Sequence, residues 1–207
     1  MQVMTIRFSA ALIPPAMLAA SALAVPSTVL AASVTIDVRG PDGRPLPGAV
    51  VSVESPRGGT PVVRGPYVVE QRDITFQPDV LIVPVGASVV FPNRDKVRHH
   101  VYSFSKARKF DLKLYGREDA RSIVFDKAGV VTLGCNIHDR MNGAIYVTAS
   151  PFTVRTDAAG RAALSGVPTG PVTIRVWHPS IRAAGNVLSQ TASVAATGLS
   201  TTYAIRR

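Results

Sequence analysis

Residues 130–148 read VVTLGCNIHDRMNGAIYVT, and this stretch decides both the fold and the candidate site. Apolar residues on either side of a loop from Cys135 to Met141 predict two strands joined by that loop. The loop carries a thiol, an imidazole and a thioether, spaced as Cys-x2-His-x2-Met, with the imidazole at His138. All are soft or borderline donors, and their combination favours copper over magnesium, calcium or manganese.

A second imidazole is needed to complete a trigonal copper site, in which the methionine would be a long, weak axial ligand. Upstream of the loop, His99 and His100 are adjacent on a predicted strand from Val97 to Phe104. Adjacent residues of a strand point to opposite faces, so only one of the two can face the loop. The residues alone leave open which one it is.

Each donor also has an ordinary structural interpretation. A lone Cys or Met beside a strand most often fills a core, and a histidine on a strand needs no metal. The remaining histidine, His178, follows a tryptophan in a different part of the chain and is interpreted as a partly exposed structural residue. The joint pattern of Cys, His and Met around one loop is what favours metal binding.

The composition predicts a β-rich globular chain. In 207 residues, 46% are hydrophobic and 17% are charged, which allows a buried core and argues against a disordered chain. Sixteen Gly, sixteen Pro and few charged residues are untypical of helical bundles and coiled coils. A single Cys excludes an internal disulfide.

Residues 1–32 have the pattern of a signal peptide. Arg7 is their only charged residue, an apolar run covers 8–25, and Ala31 and Ala32 suit cleavage. A retained membrane anchor is the alternative, but two prolines interrupt the run, and no later stretch is apolar for long enough to span a bilayer. We therefore expect a periplasmic protein without a transmembrane span after processing. Losing Arg7 lowers the net charge from +10 to +9.

Two blocks flank the middle of the chain and share a style of short strands and Gly-rich turns. Asp42-Gly-Arg-Pro-Leu-Pro-Gly-Ala49, and later Thr156-Asp-Ala-Ala-Gly-Arg161, resemble the two halves of a carboxypeptidase-regulatory-like, transthyretin-like β-sandwich. The resemblance implies a discontinuous sandwich over 33–66 and 152–207, with residues 67–151 as an inserted domain. Within that insert the charged segment 105–121 predicts an insertion or a short helix, and Lys106, Arg108, Lys109 and Lys113 form the densest basic cluster.

The inserted block resembles a cupredoxin, the small blue-copper fold. Phe91-Pro-Asn-Arg-Asp-Lys-Val-Arg-His-His-Val101 is similar to the strand that carries the first copper histidine, and this alignment selects His99. The loop has the short length found in amicyanins. The resemblance implies an all-β, Greek-key cupredoxin sandwich with one type 1 copper ion held by His99, Cys135, His138 and Met141. The whole arrangement is similar to exported chains labelled methylamine utilization proteins.

The expected function is one-electron transfer with a redox partner such as a cytochrome or a dehydrogenase. The positive charge of the chain would speed its encounter with an acidic partner. No paired carboxylates, activated nucleophile or phosphate loop are found in the sequence, so we expect no enzyme, and export argues against nucleic acid. Two alternatives stay open: a copper-delivery module that uses the same ligands, and a non-redox interaction module with a degenerate cupredoxin fold.

Overall fold

The computed structural model describes residue 2 and residues 30–205. Within them the chain is all-β apart from a short 3-10 helix, Ala184–Asn186, which confirms the predicted fold class. The strands are β1 Ala31–Arg39, β2 Val50–Glu54, β3 Tyr67–Val68, β4 Glu70–Arg72, β5 Thr75–Gln77, β6 Val80–Pro84, β7 Ala87–Pro92, β8 His99–Phe104, β9 Lys109–Tyr115, β10 Ala120–Phe125, β11 Gly129–Gly134, β12 Asn142–Thr148, β13 Thr153–Arg155, β14 Arg161–Pro168, β15 Gly170–Trp177, β16 Val187–Val194 and β17 Leu199–Ala204. Of the predicted leader, only residues 2 and 30–32 are described, so the leader stays a prediction.

The first and last parts of the chain together build one β-sandwich. A three-stranded sheet in the order β14-β1-β17 faces a four-stranded sheet in the order β13-β2-β15-β16. The alternation of β1 buries Val34, Ile36 and Val38 completely, as the pattern of this strand predicts, and they pack on Val51 and Ile174 of the other sheet.

The strands between residues 67 and 148 build a second sandwich. A five-stranded sheet, β6-β12-β11-β8-β9, packs against a three-stranded sheet, β10-β7-β3, and the pair β4-β5 forms a separate hairpin. Phe91 and Phe125 of the smaller sheet and Leu133 and Ile145 of the larger one are buried in a shared core. The charged segment 105–121 contains no helix, because it forms the edge strand β9 and the start of β10. That it is an insertion stays a prediction.

The two sandwiches contact each other through a small apolar cluster and an ion pair. Tyr146 on β12 and Trp177 on β15 are both buried there, with ring centroids 6.3 Å apart. Arg155 on β13 binds Asp79, just before β6, at 3.0 Å. Whether each sandwich folds as an independent domain stays a prediction.

The candidate ligands lie where strands of the second sandwich begin or end. His99 is the first residue of β8, and the loop with the other donors connects the end of β11 to the start of β12. Among the described residues, no helix has the length and apolarity required to cross a bilayer.

Candidate metal centre

Backbone hydrogen bonds close the loop that carries three of the predicted donors. The strands on either side pair with each other up to Gly134 and Asn142. The N–H of Cys135 donates to the carbonyl oxygen of Met141 at 3.2 Å, and the N–H of Met141 donates to that of His138 at 2.9 Å. The thiol, the imidazole and the thioether are therefore held on one tight turn, which fixes their positions relative to each other.

The other imidazole comes from the segment that connects β7 to β8. Asn93 is buried and organises this segment, because its side-chain amide donates to the carbonyl oxygens of Val97 at 2.8 Å and Tyr115 at 3.2 Å. Its own oxygen accepts from the N–H of Asp95 at 2.8 Å. These hydrogen bonds fix the conformation of the segment before His99, and His99 lies inside the sandwich, where it is fully buried.

The structure brings together His99, Cys135 and His138. The Nδ1 atoms of the two histidines are 3.2 Å apart, and Nδ1 of His138 is 3.6 Å from Sγ of Cys135. All three donor atoms lie within 4.8 Å of one another. Met141, which is 1% exposed, belongs to the same buried cluster as Cys135.

These separations fit a single metal ion. With bonds of about 2.05 Å to nitrogen and about 2.3 Å to sulfur at tetrahedral angles, the nitrogens would be about 3.3 Å apart and nitrogen and sulfur about 3.6 Å apart. The observed 3.2 Å and 3.6 Å are close to both values. Two imidazoles, a thiol and a nearby thioether form a donor set that suits copper.

A carboxylate supports the buried histidine from behind. Oδ2 of Asp95 is 2.7 Å from Nε2 of His99. Burial raises the pKa of Asp95, but hydrogen bonds from the N–H of Ile74, from His99 and from the N–H of Asp73 outweigh it and bring the pKa below its ordinary value. Asp95 is then ionised and can only accept, so Nε2 of His99 carries the proton and Nδ1 keeps its lone pair for a metal.

The alternative ligand, His100, points away from the cluster. Its Nε2 lies 2.5 Å from Oδ1 of Asp111 on the neighbouring strand β9, and its ring faces that of Tyr102 at 5.3 Å. Hydrogen bonds from Lys113 and then His100 lower the pKa of Asp111 well below its ordinary value. The opposite orientation of the two histidines follows from the two-residue period of β8.

A hydrogen-bonded group of buried side chains lies beside the site. The hydroxyl of Tyr115, opposite His99 on β9, donates to the carbonyl oxygen of Phe91 at 2.7 Å and accepts from Nε2 of Gln71 at 2.6 Å. Burial raises the pKa of Tyr115 well above its ordinary value, so its phenol stays neutral. This network holds β7 and β9 together under the segment that delivers His99.

The surface around the site is only partly apolar. His138 is half-buried, while its neighbours Ile137, Asp139 and Arg140 are exposed. His178, in the other sandwich, bonds to Ser180 at 2.6 Å and is separate from the cluster, as expected for a structural residue.

Sequence reasoning did not identify Asp95. The available signal was an acidic residue four positions before a candidate ligand, in a segment with Asn93 and no regular pattern. That signal is weak, because acidic residues in loops are common.

No family model matches the chain. A curated relative, amicyanin from Paracoccus denitrificans, is 30% identical over 103 residues, which cover 48% of this chain and 78% of the relative.

Among solved structures, an oxidised methionine-to-leucine variant of amicyanin is 23% identical and has a TM-score of 0.38, with 47% of this chain and 99% of that chain covered. A purple cupredoxin from Nitrosopumilus maritimus is 24% identical, at a TM-score of 0.36 and coverage of 40% and 100%. A copper-containing nitrite reductase from Thermus scotoductus is 29% identical, at a TM-score of 0.38 and coverage of 42% and 25%.

The second sandwich, with its cluster of two histidines and a cysteine at one end, has the architecture of the cupredoxins. Over about half of its length, the chain belongs to the amicyanin family.

Proposed function

We propose that this chain is a type 1, or blue, copper protein that carries single electrons between redox partners. The observation that supports this proposal is the convergence of His99, Cys135 and His138 within 4.8 Å, with Met141 buried in the same cluster as Cys135. A copper ion held by these four side chains would supply a one-electron couple between Cu(II) and Cu(I).

The protein's own contribution is to hold the donors in place. His99 is fully buried and Cys135 is 6% exposed, so water has little access to either donor. The carboxylate of Asp95 keeps the proton of His99 on Nε2, and the closed loop sets the positions of Cys135 and His138. Donors that are already oriented need little rearrangement when an electron arrives or leaves, which favours fast transfer.

Burial of the donors favours an electron carrier over a copper-delivery module. Direct transfer of a metal to an acceptor requires that the acceptor's ligands replace those of the donor one by one. Here His138 is half-buried, but His99, Cys135 and Met141 are all buried in the core of the sandwich. Because His99 is fully buried, its replacement would require the sandwich to open.

The proposal extends to the protein's setting. The leader over residues 1–32 would direct the chain to the periplasm, where a mature chain of charge +9 would meet an acidic cytochrome or dehydrogenase. The first sandwich would be a transthyretin-like module, in a chain of the kind labelled methylamine utilization proteins. In this role the chain turns over no substrate and is not an enzyme.

The test is the absorption and electron spin resonance spectrum of the copper-loaded protein. We expect an intense visible band from the bond between copper and the thiolate, and its loss in Cys135→Ser. Met141→Leu is the matched variant, because it keeps the volume of a buried apolar side chain, and it should retain copper while raising the reduction potential. A colourless, redox-inactive copper complex of the parent would contradict the proposal. Ready release of Cu(I) to a weak chelator would instead support a delivery module.

A further inference from the structure

An aromatic row follows the outer face of β8. The rings of Tyr102 and Phe104 have centroids 5.2 Å apart, and that of His100 continues the row at 5.3 Å from Tyr102. Phe104 is 78% exposed, more than any other large hydrophobic side chain in the part of the chain that the structure describes. A contiguous aromatic surface, unlike a single exposed apolar residue, is a feature of interaction sites.

This row lies directly against the candidate metal centre. A Cβ at Gly134 would be 2.8 Å from Cζ of Tyr102, so the absence of a side chain at this position is what lets the ring lie on the backbone next to Cys135. A groove of about 460 Å³ continues from Tyr102 and Phe104 to Cys135 and Met141. The exposed aromatic surface is therefore continuous with two of the candidate ligands.

Two exposed lysines lie on the same hairpin as the exposed ring. Lys109 is directly opposite Phe104 in the hairpin of β8 and β9, and Lys106 lies in its turn. Both lysines are exposed, and neither forms an ion pair with any residue that the structure describes. Of the nearby acids, Asp111 is bonded to Lys113 and His100, and Asp139 lines the groove.

We propose that Tyr102, Phe104, Lys106 and Lys109 form a docking surface for an acidic one-electron redox protein, beside the candidate metal centre. The proposal rests on the proposed electron-transfer function and names the face where the partner binds. An acidic partner fits because it would neutralise the two unpaired lysines and cover the ring of Phe104. A second copy of this chain would bring the same positive charges to the interface and would be repelled.

The first measurement is binding of an acidic bacterial c-type cytochrome to the metal-free protein at low salt, by calorimetry. We expect Kd to rise about tenfold in the double variant Lys106→Glu/Lys109→Glu, because local charges steer and hold the partner. The matched control, Arg44→Glu/Arg182→Glu, changes the net charge equally at exposed positions of the other sandwich and should raise Kd by less than about threefold. At about 1 M salt, the two double variants should bind equally.

The second measurement uses Phe104→Ala, which removes an exposed ring and leaves the core intact. We expect a rise of Kd of about tenfold with salt dependence unchanged, as for a central aromatic contact of an interface. Val62→Ala is the control, since Val62 is also exposed, at 68%, and lies outside the row. It should leave Kd unchanged.

Several outcomes would overturn the docking surface. These are no binding by the parent at low salt, an equal loss in both double variants, or an unchanged Kd in Phe104→Ala. The proposal would also be overturned if Phe104→Ala lost self-association, or binding to anionic lipid vesicles, but kept cytochrome binding. These measurements use metal-free protein and are therefore independent of the copper spectrum. A redox-inactive copper complex would refute the proposed function, whereas the binding measurements test the docking surface.

Discussion

Replacing Asp95 by Asn should weaken both the folded state and the candidate metal centre. The carboxylate accepts three hydrogen bonds: from Nε2 of His99 at 2.7 Å, and from the backbone N–H groups of Asp73 at 2.8 Å and Ile74 at 3.0 Å. An amide of the same shape has one oxygen and one NH2 group. In either orientation, therefore, at least one of these donors would face another donor and the negative charge would be lost.

The size of the effect follows from the burial of the pair. The side chain of His99 is 0% exposed and that of Asp95 is 14% exposed, so water can replace the lost hydrogen bond only in part. A hydrogen bond with one charged partner contributes about 1.5–3 kcal/mol, and we expect that loss in the free energy of unfolding of the metal-free protein. Loss of a hydrogen bond that orients a metal-binding histidine lowers metal affinity about 10–100-fold, or by about 1.4–2.7 kcal/mol.

Two measurements separate these effects. Urea unfolding of the metal-free variants gives stability, and competition with a chromophoric chelator gives the affinity for Cu(I). Asp95→Glu keeps the carboxylate and should recover part of both losses. Asp126→Asn is the control for charge alone, because Asp126 is exposed and its distance to Arg108 is 3.6 Å, and it should change stability by less than about 0.5 kcal/mol.

One result would refute the reasoning. If Asp95→Asn unfolds at the same urea concentration as the parent and binds Cu(I) within about threefold of it, the negative charge of Asp95 is not needed to orient His99. A loss of stability with unchanged affinity would mean that the lost charge matters for the turn at Asp73 and Ile74 and not for the metal centre.

Three further predictions concern other parts of the molecule. His99→Ala should abolish binding of copper with a visible band, whereas His100→Ala should retain it, because His100 points away from the cluster, and both are checked by absorption. Gly160→Ala should destabilise the protein by about 2 kcal/mol or more in urea unfolding, because φ of Gly160 is +73° and a Cβ would be 2.6 Å from a backbone oxygen of β1. The control is Gly43→Ala, where φ is +76° but the space is open, so only the smaller cost of backbone strain is expected. Burial raises the pKa of Asp79, but the hydrogen bond and charge of Arg155 outweigh this and lower the pKa below 3.8. Asp79→Asn should therefore lower the free energy of unfolding by about 0.2–1 kcal/mol above pH 3.8. The difference from the parent should disappear as the pH falls through the lower pKa of the folded state.

Local pattern was enough to predict the all-β class and the metal-donor loop. The alternation around Val34 and Ile36 specifies which face of β1 is buried, because side chains of a strand point alternately to opposite sides. Cys135, His138 and Met141 are separated by two residues each, so one turn of backbone suffices to bring them together. Both are short-range properties, which can be read without knowledge of the rest of the fold.

Tertiary structure alone decided what surrounds that loop. Strand alternation left open whether His99 or His100 faces Cys135, and only the family resemblance selected His99. The choice depends physically on the register and orientation of β8 in the sheet, because a shift of one residue would exchange their positions. The contact of Tyr102 with Gly134 joins strands that are far apart in the chain. Asp95 is only four residues from His99, but their contact depends on how the connecting loop folds. Neither contact follows from the two-residue period of a strand, since one depends on how the connecting loop folds and the other on how the strands are placed in the sheet.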